Sequence, residues 1–277
     1  MRHAFLILAH DNGDQLAALV DRLAPAGSGD RVLVHIDARS ALWRRTRGAF
    51  LAGNPCVEVI ARPVAVRWGH SSTVAAVRLL LRLALAGGFD LAHLMSGSHW
   101  PVVSAAEIAA TYDGSTCHIE ALPGLQEDRM QRVWLDARWL ERRGATRWRR
   151  LLAGGLRRLS KLLPARRSRP WGPWHKGETW WSLPRDACVA VLPELDRAIH
   201  SGRLIGTVNA DEHVIPTIMA SRFPERIGAE RCFVRWDAAS SSPETLTAAD
   251  WPNVVASGAW FARKLSAEQD GFFLDYG

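Results

Sequence analysis

Short apolar runs at residues 4–9, 31–36, 57–60 and 90–95, alternating with helical patterns, constrain this chain more than any other feature. A run of four to eight apolar residues reads as a strand buried on both faces. After the first run, Asp11 and Asp14 open an amphipathic helix through Leu16, Leu19, Val20 and Leu23. A long helix over 71–85 stops at Gly87-Gly88, and the run at 90–95 leads through a glycine turn to a helix from Ser104. This alternation predicts an α/β fold with a mainly parallel central sheet flanked by helices. Ligands of such sheets sit beyond the carboxyl ends of the strands. His10, Asp37, Trp68 and the residues at 96–99 fall at such ends.

The chain has 277 residues, 48% hydrophobic and 23% charged, which suits a single domain spanning 1–277 with ample core. No apolar run approaches the roughly 18–20 residues needed to cross a bilayer. The start carries a single arginine and enters a strand pattern at once, so no signal peptide is expected. Cys56, Cys117, Cys188 and Cys232 form no C-x-x-C pair, which argues against zinc and against a disulfide framework. No G-x-S-x-G elbow supports a hydrolase triad.

The stretch from 174 to 220 gathers the chemistry. Glu212 follows Asp211 where a helix is expected to begin, with Val214, Ile215, Ile218 and Met219 at helical spacing. Asp211 suits an N-cap, and a carboxylate in a first turn suits either capping or a general base. His213 is a rival base, expected to face elsewhere.

Seven segments carry a resemblance: FLILAH at 5–10, VHIDARS at 34–40, VRWGHSSTVAA at 66–76, HLMSGSHWP at 93–101, KGETWWSLPRDA at 176–187, ADEHVIPT at 210–217 and WFARKL at 260–265. In this order they resemble the core-2/I-branching N-acetylglucosaminyltransferase family, which includes the peptide xylosyltransferases. The resemblance implies a GT-A type nucleotide-sugar fold. It also implies inverting, metal-independent transfer of a sugar from a UDP-sugar to a hydroxyl of a glycan or glycolipid. No metal or other cofactor is expected, and no Asp-x-Asp triplet occurs in the chain. Animal relatives carry a membrane anchor and stem. This chain shows neither, so a cytoplasmic bacterial enzyme of surface polysaccharide synthesis is expected, with peripheral contact to the inner face of the membrane. A fold kept only to bind sugar nucleotides or glycans is the alternative.

The resemblance assigns Glu212 as the base that deprotonates the acceptor. Lys264 takes the family's phosphate-binding lysine position beside Arg263, and Arg235 corresponds to the second phosphate-binding cation across a loop of different length. Asp37 matches the aspartate beside the nucleoside, and His10 is expected in the same pocket. Trp68, Trp180, Trp181, Ser98 and His99 lie in motifs that border the sugars, and Glu120 is a candidate for acceptor hydroxyls. Ordinary surface, capping and core roles remain open for these residues. Adjacent tryptophans on a strand point to opposite sides, so at most one of Trp180 and Trp181 faces the site. Relatives often carry an acidic residue where His99 stands and Gly where His70 stands, which leaves the donor open among N-acetylglucosamine, xylose and related sugars.

Residues 138–170 form a separate feature. Between Arg138 and Arg169 stand twelve Arg or Lys and one acid, Glu141, giving +11 against +7 for the whole chain, so the rest is about −4. Trp148, Leu151, Leu152, Leu156, Leu159 and Leu163 share one helical face, with Arg149, Arg150, Arg157, Arg158 and Lys161 around much of the remainder. An amphipathic helix on an anionic membrane, a packed helix with a solvated basic face, and a nucleic-acid contact all fit this pattern. No nucleic-acid-binding module accompanies it, so no nucleic-acid partner is expected.

Overall fold

Along β1 (His3–Ala9) the side chains alternate between two cores. Ala4 and Leu6 join one apolar cluster and Phe5, Ile7 and Ala9 the other. A strand buried on both faces belongs inside a sheet, and β1 lies there. The structure is a computed structural model describing residues 1–25, 27–135, 146–165, 168–237 and 242–275.

The other strands are β2 (Arg31–Ile36), β3 (Val57–Val59), β4 (Leu91–Ser96), β5 (Trp100–Pro101), β6 (Cys117–His118), β7 (Leu122–Pro123), β8 (His175–Lys176), β9 (Trp181–Pro184), β10 (Ile227–Gly228), β11 (Cys232–Val234) and β12 (Phe261–Arg263). The helices are α1 (Gly13–Leu23), α2 (Ala41–Thr46), α3 (Ser72–Ala86), α4 (Ala105–Thr111), α5 (Asp128–Gln131), α6 (Arg147–Leu162), α7 (Arg185–His200), α8 (Val214–Arg222) and α9 (Trp251–Ala256). A seven-stranded sheet runs in the order β10-β6-β9-β4-β1-β2-β3. Strands β4, β1, β2 and β3 are parallel, as are β10 and β6, while β9 runs antiparallel to both β4 and β6. The mainly parallel α/β fold expected from the alternation is therefore the fold observed. It brings the carboxyl ends of β1, β2, β4, β6 and β10 and the amino end of β9 to one edge. A small sheet, β11-β12-β5, packs beside it and carries Arg263 at its end.

Helices α3, α7 and α8 cover one face through Val77, Leu81, Val191 and Ile218. Helix α1 covers the other through Leu16, Leu19, Val20 and Leu23, with Trp260 and Phe261 from the small sheet. Each such fully buried aliphatic side chain contributes about 1.5–3 kcal/mol.

Three local expectations change. Helix α1 is capped by Asn12 rather than Asp11: Asn12 adopts φ 44° and its Oδ1 accepts the Gln15 N–H. Asparagine tolerates that left-handed backbone, and Asp11 pairs with His10 instead (3.2 Å). Asp211 is not an N-cap, because residues Ala210–Glu212 form a 3-10 turn and α8 starts after it at Val214. Helix α6 runs unbroken through Gly154-Gly155; of the expected stripe Leu156 joins Ala153 and Ser160 on the docked side, while Trp148, Leu151, Leu152 and Leu159 stay exposed. Ser160 Oγ accepts the Leu135 N–H at 2.9 Å, and small side chains allow that close approach. Residues 138–145 and 166–167 of the basic segment lie outside the described residues. Among the described residues no helix is long and apolar enough to cross a membrane.

Candidate active site

Glu212 ends the 3-10 turn before α8, at the sheet edge where the strand ends gather. Its carboxylate is held from three sides. Arg129 of α5 donates to Oε2 (2.7 Å), the Asn209 side-chain amide donates to Oε1 (2.7 Å), and Lys176 Nζ stands 3.8 Å from Oε2. Main-chain bonds fix the turn as well. The Gly177 N–H donates to the Glu212 carbonyl (2.8 Å), and the Asn209 N–H donates to the Gly69 carbonyl (3.0 Å). Each carboxylate oxygen offers about two acceptor positions, so each keeps one for an incoming hydroxyl. Glu212 is only partly buried, its side chain 24% exposed, so that hydroxyl can reach it.

The bond to Gly69 places the loop carrying Trp68 beside this carboxylate. The Trp68 side chain is open to solvent at 74% exposure. Gly177 permits the close approach of β8 to the end of β6, since a Cβ there would lie 1.9 Å from the Glu120 carbonyl oxygen. Asp211 accepts a hydrogen bond from Thr179 Oγ (2.8 Å), while its buried Oδ1 has no partner. Burial raises its pKa to about 6, more than the Thr179 bond lowers it. His213 is fully buried with Nδ1 3.1 Å from the Asn209 carbonyl, and burial depresses its pKa. It faces the core, as expected of a neighbour rather than a base.

A second group forms where β1 and β2 end. His10 and Asp11 pair at the surface, and this pairing raises the His10 pKa while His10 lowers that of Asp11. Asp37 and Lys264 both act on His10 electrostatically, which puts all four residues in one neighbourhood. Asp37 Oδ1 accepts the N–H groups of Arg39 and Val66, both at 2.9 Å, and so fixes the loop after β3. Lys264 is placed by Gln15, a buried residue of α1. Gln15 donates to the carbonyls of Gly97 and Leu265 (3.1 Å each) and accepts the Ala267 N–H (2.9 Å). The Leu265 N–H completes the tie by donating to the Ser98 carbonyl (2.9 Å). Ser98 Oγ turns to Ser96 Oγ at 2.9 Å.

Arg263 and Lys264, at the end of β12, have different surroundings. Lys264 acts electrostatically on His10 and Asp11, whereas the Arg263 guanidinium lies over the Trp180 ring (5.1 Å) with Nε unpartnered. Burial lowers the Arg263 pKa against the opposing pull of Glu178 and Glu230. Burial raises the pKa of Glu178, and pushes that of Glu230 up to about 8 with help from Glu178 and Glu120. Glu120, after β6, and Glu178 thus act electrostatically on Glu230, and all three carboxylates are partly buried.

His99 is 1% exposed beneath Trp180 (ring centroids 4.8 Å apart). Its Nδ1 accepts the Ser96 N–H, which leaves the proton of the neutral ring on Nε2. Burial first, then Arg263, holds its pKa well below the ordinary value. Trp181 is in the core, so of the tryptophan pair only Trp180 reaches the rim. Arg235 is engaged by two carboxylates, Glu244 and Asp250. Among the described residues no group of three His, Cys, Asp or Glu side chains converges as a metal site requires.

Sequence reasoning missed Arg129, Lys176, Asn209, Gln15, Glu178 and Glu230 in this arrangement. Lys176 and Glu178 stand inside KGETWW and Asn209 precedes ADEH, so their positions beside recognised motifs were a signal. Arg129 carried none, being one of 35 Lys and Arg.

An α/β sheet with carboxylates and cations collected at its carboxyl edge is suited to binding a polar ligand and moving a proton. The match that resolves the class is to the Core-2/I-Branching enzyme family, whose model covers residues 3–256. The chain belongs to that family, and is a glycosyltransferase of the core-2/I-branching type. Solved structures resemble it distantly. The apo WbbM bifunctional glycosyltransferase shares 11% identity at TM-score 0.40, with the match covering 94% of this chain and 45% of that one. Apo mouse xyloside xylosyltransferase 1 shares 12% at TM-score 0.41 over 95% and 97% of the two chains. The 4-diphosphocytidyl-2C-methyl-D-erythritol synthase of Anaerococcus prevotii shares 11% at 0.41 over 92% and 95%. A search of curated proteins found no match.

Proposed function

We propose that this protein transfers a sugar from a UDP-sugar to a hydroxyl of a glycan or lipid-linked glycan, with inversion and without a metal, in bacterial surface polysaccharide synthesis. Glu212 takes the proton of the acceptor hydroxyl as its oxygen attacks the anomeric carbon. The bond from that carbon to the diphosphate breaks in the same displacement, and UDP leaves with the electron pair. Lys264 offsets the charge on the departing diphosphate, and Asp37 and His10 line the nucleoside side. Trp68 offers a flat apolar face to a sugar, and Trp180, held between Arg263 and His99, borders the sugar site. Glu120 and Glu178 accept hydrogen bonds from acceptor hydroxyls.

The observation that carries this reading is the Glu212 carboxylate, oriented by Arg129 and Asn209 yet open to the site edge. The metal-free part is supported by the sequence, which lacks Asp-x-Asp, and by Lys264, which with Asp37 acts electrostatically on His10. The experiment is UDP release from a panel of UDP-sugars in EDTA with glycan and glycolipid acceptors, comparing the protein with Glu212→Gln. Acceptor-dependent release that Glu212→Gln abolishes supports the reading. Binding of UDP-sugar and glycan with no transfer to any acceptor would favour a protein that only binds.

A further inference from the structure

Helix α6 turns its large apolar side chains outward. Leu151 is 74% and Leu162 80% exposed, and Trp148, Leu152 and Leu159 are each about half exposed. At 100° per residue these five fall on one stripe, about 21 Å long at 1.5 Å per residue. The side that meets the protein is separate and narrow, formed by Ala153, Leu156 and Ser160. Arg147, Arg149, Arg158 and Lys161 are exposed around the stripe, within the segment that carries +11. Leucines on a solvent-facing stripe are not a core, because the core contact lies elsewhere on the same helix.

From this geometry we infer that α6 is a peripheral membrane anchor, which lays the Trp148–Leu162 stripe into the surface of a bilayer of anionic phospholipid. The combination selects this occupant. Nucleic acid would use the arginines but leave five apolar side chains in water. A second copy of the chain would cover the leucines but bring two strongly cationic segments together. An anionic bilayer takes both: the leucines and tryptophan enter the acyl boundary, and the cations meet lipid phosphates. The mounting of the helix agrees with a role beside the site. The Arg132 side chain donates to the Lys161 carbonyl (3.0 Å) and Leu135 bonds Ser160, so α6 is fastened to the segment whose Arg129 holds Glu212. An anchor there presents the site edge to acceptors carried by the membrane.

The test is flotation of the full chain with vesicles of phosphatidylcholine, and of phosphatidylcholine mixed with phosphatidylglycerol. Flotation is expected with the mixed vesicles only, weakened by salt. It should fall at least about tenfold in Leu151→Ser/Leu162→Ser and in Arg158→Glu/Lys161→Glu. Both pairs are on the surface, so circular dichroism and UDP affinity should match the parent chain. No flotation with either vesicle, or equal flotation with both, overturns the inference. So does flotation that the leucine variant leaves intact, or a salt-resistant dimer in light scattering that the leucine variant splits. None of these outcomes depends on transfer activity, so failure here is separable from failure of the glycosyltransferase reading.

Discussion

Arg129 Nη1 lies 2.7 Å from Glu212 Oε2, joining a loop helix of four residues to the turn that carries the candidate base. The pair is partly exposed on both sides. Its importance therefore lies in orientation more than in stability, since such pairs contribute about 0–1 kcal/mol.

Replacing Glu212 by Gln is expected to lower turnover by about 10²–10⁴, with donor affinity largely unchanged. Arg129→Ala should also lower turnover, and adding it to Glu212→Gln should cost little more, because both changes disable one unit. Steady-state kinetics of the two single variants and the double variant read this directly. Fully additive losses would separate Arg129 from the base.

Gln15 should act on donor binding from beneath the surface. Gln15→Ala leaves two carbonyls and one N–H without their partner, at a cost of about 1–3 kcal/mol in denaturant unfolding. The loop bearing Lys264 then loses its tie to α1, so affinity for UDP should fall although no contact to phosphate was removed. Unfolding midpoint and UDP titration on the same preparation separate the two effects.

The pH dependence of stability should report Glu230. Its pKa rises from an ordinary 4.5 to about 8 on folding, chiefly through burial. The folded chain therefore holds this proton more tightly than the unfolded chain, and the contribution is full below about 4.5. It is lost progressively as pH rises through that window toward 8. The melting temperature should decline over this range more steeply in the parent chain than in Glu230→Gln, as differential scanning fluorimetry across pH would show. Parallel curves would mean that Glu230 titrates normally.

Short apolar runs and helical patterns made the parallel sheet legible, because strands such as β1 must bury both faces and helices such as α1 must bury one. Short elements were less so: β7 and β10 are two residues each and owe their place to neighbouring strands. For the site, motifs pointed to Glu212 beside a helix start, to Asp37 and Trp68 beyond strand ends, and to Lys264. The partners that orient them were hidden because pairing across distance leaves no local pattern, as with Arg129 and Glu212, 83 residues apart. The leucines of residues 148–163 illustrate the opposite limit. Periodicity found a stripe on α6, but only the packing of Ala153 and Ser160 shows that the stripe faces out.

The central claim is a UDP site that works through Lys264 without a metal. Its most direct test is calorimetric titration of the protein with UDP in EDTA and again with manganese. Equal binding in both, weakened roughly 10- to 100-fold in Lys264→Ala, is the expected result, since a charge-assisted bond to phosphate contributes about 1.5–3 kcal/mol. Binding that requires manganese, or that Lys264→Ala leaves intact, would contradict the account.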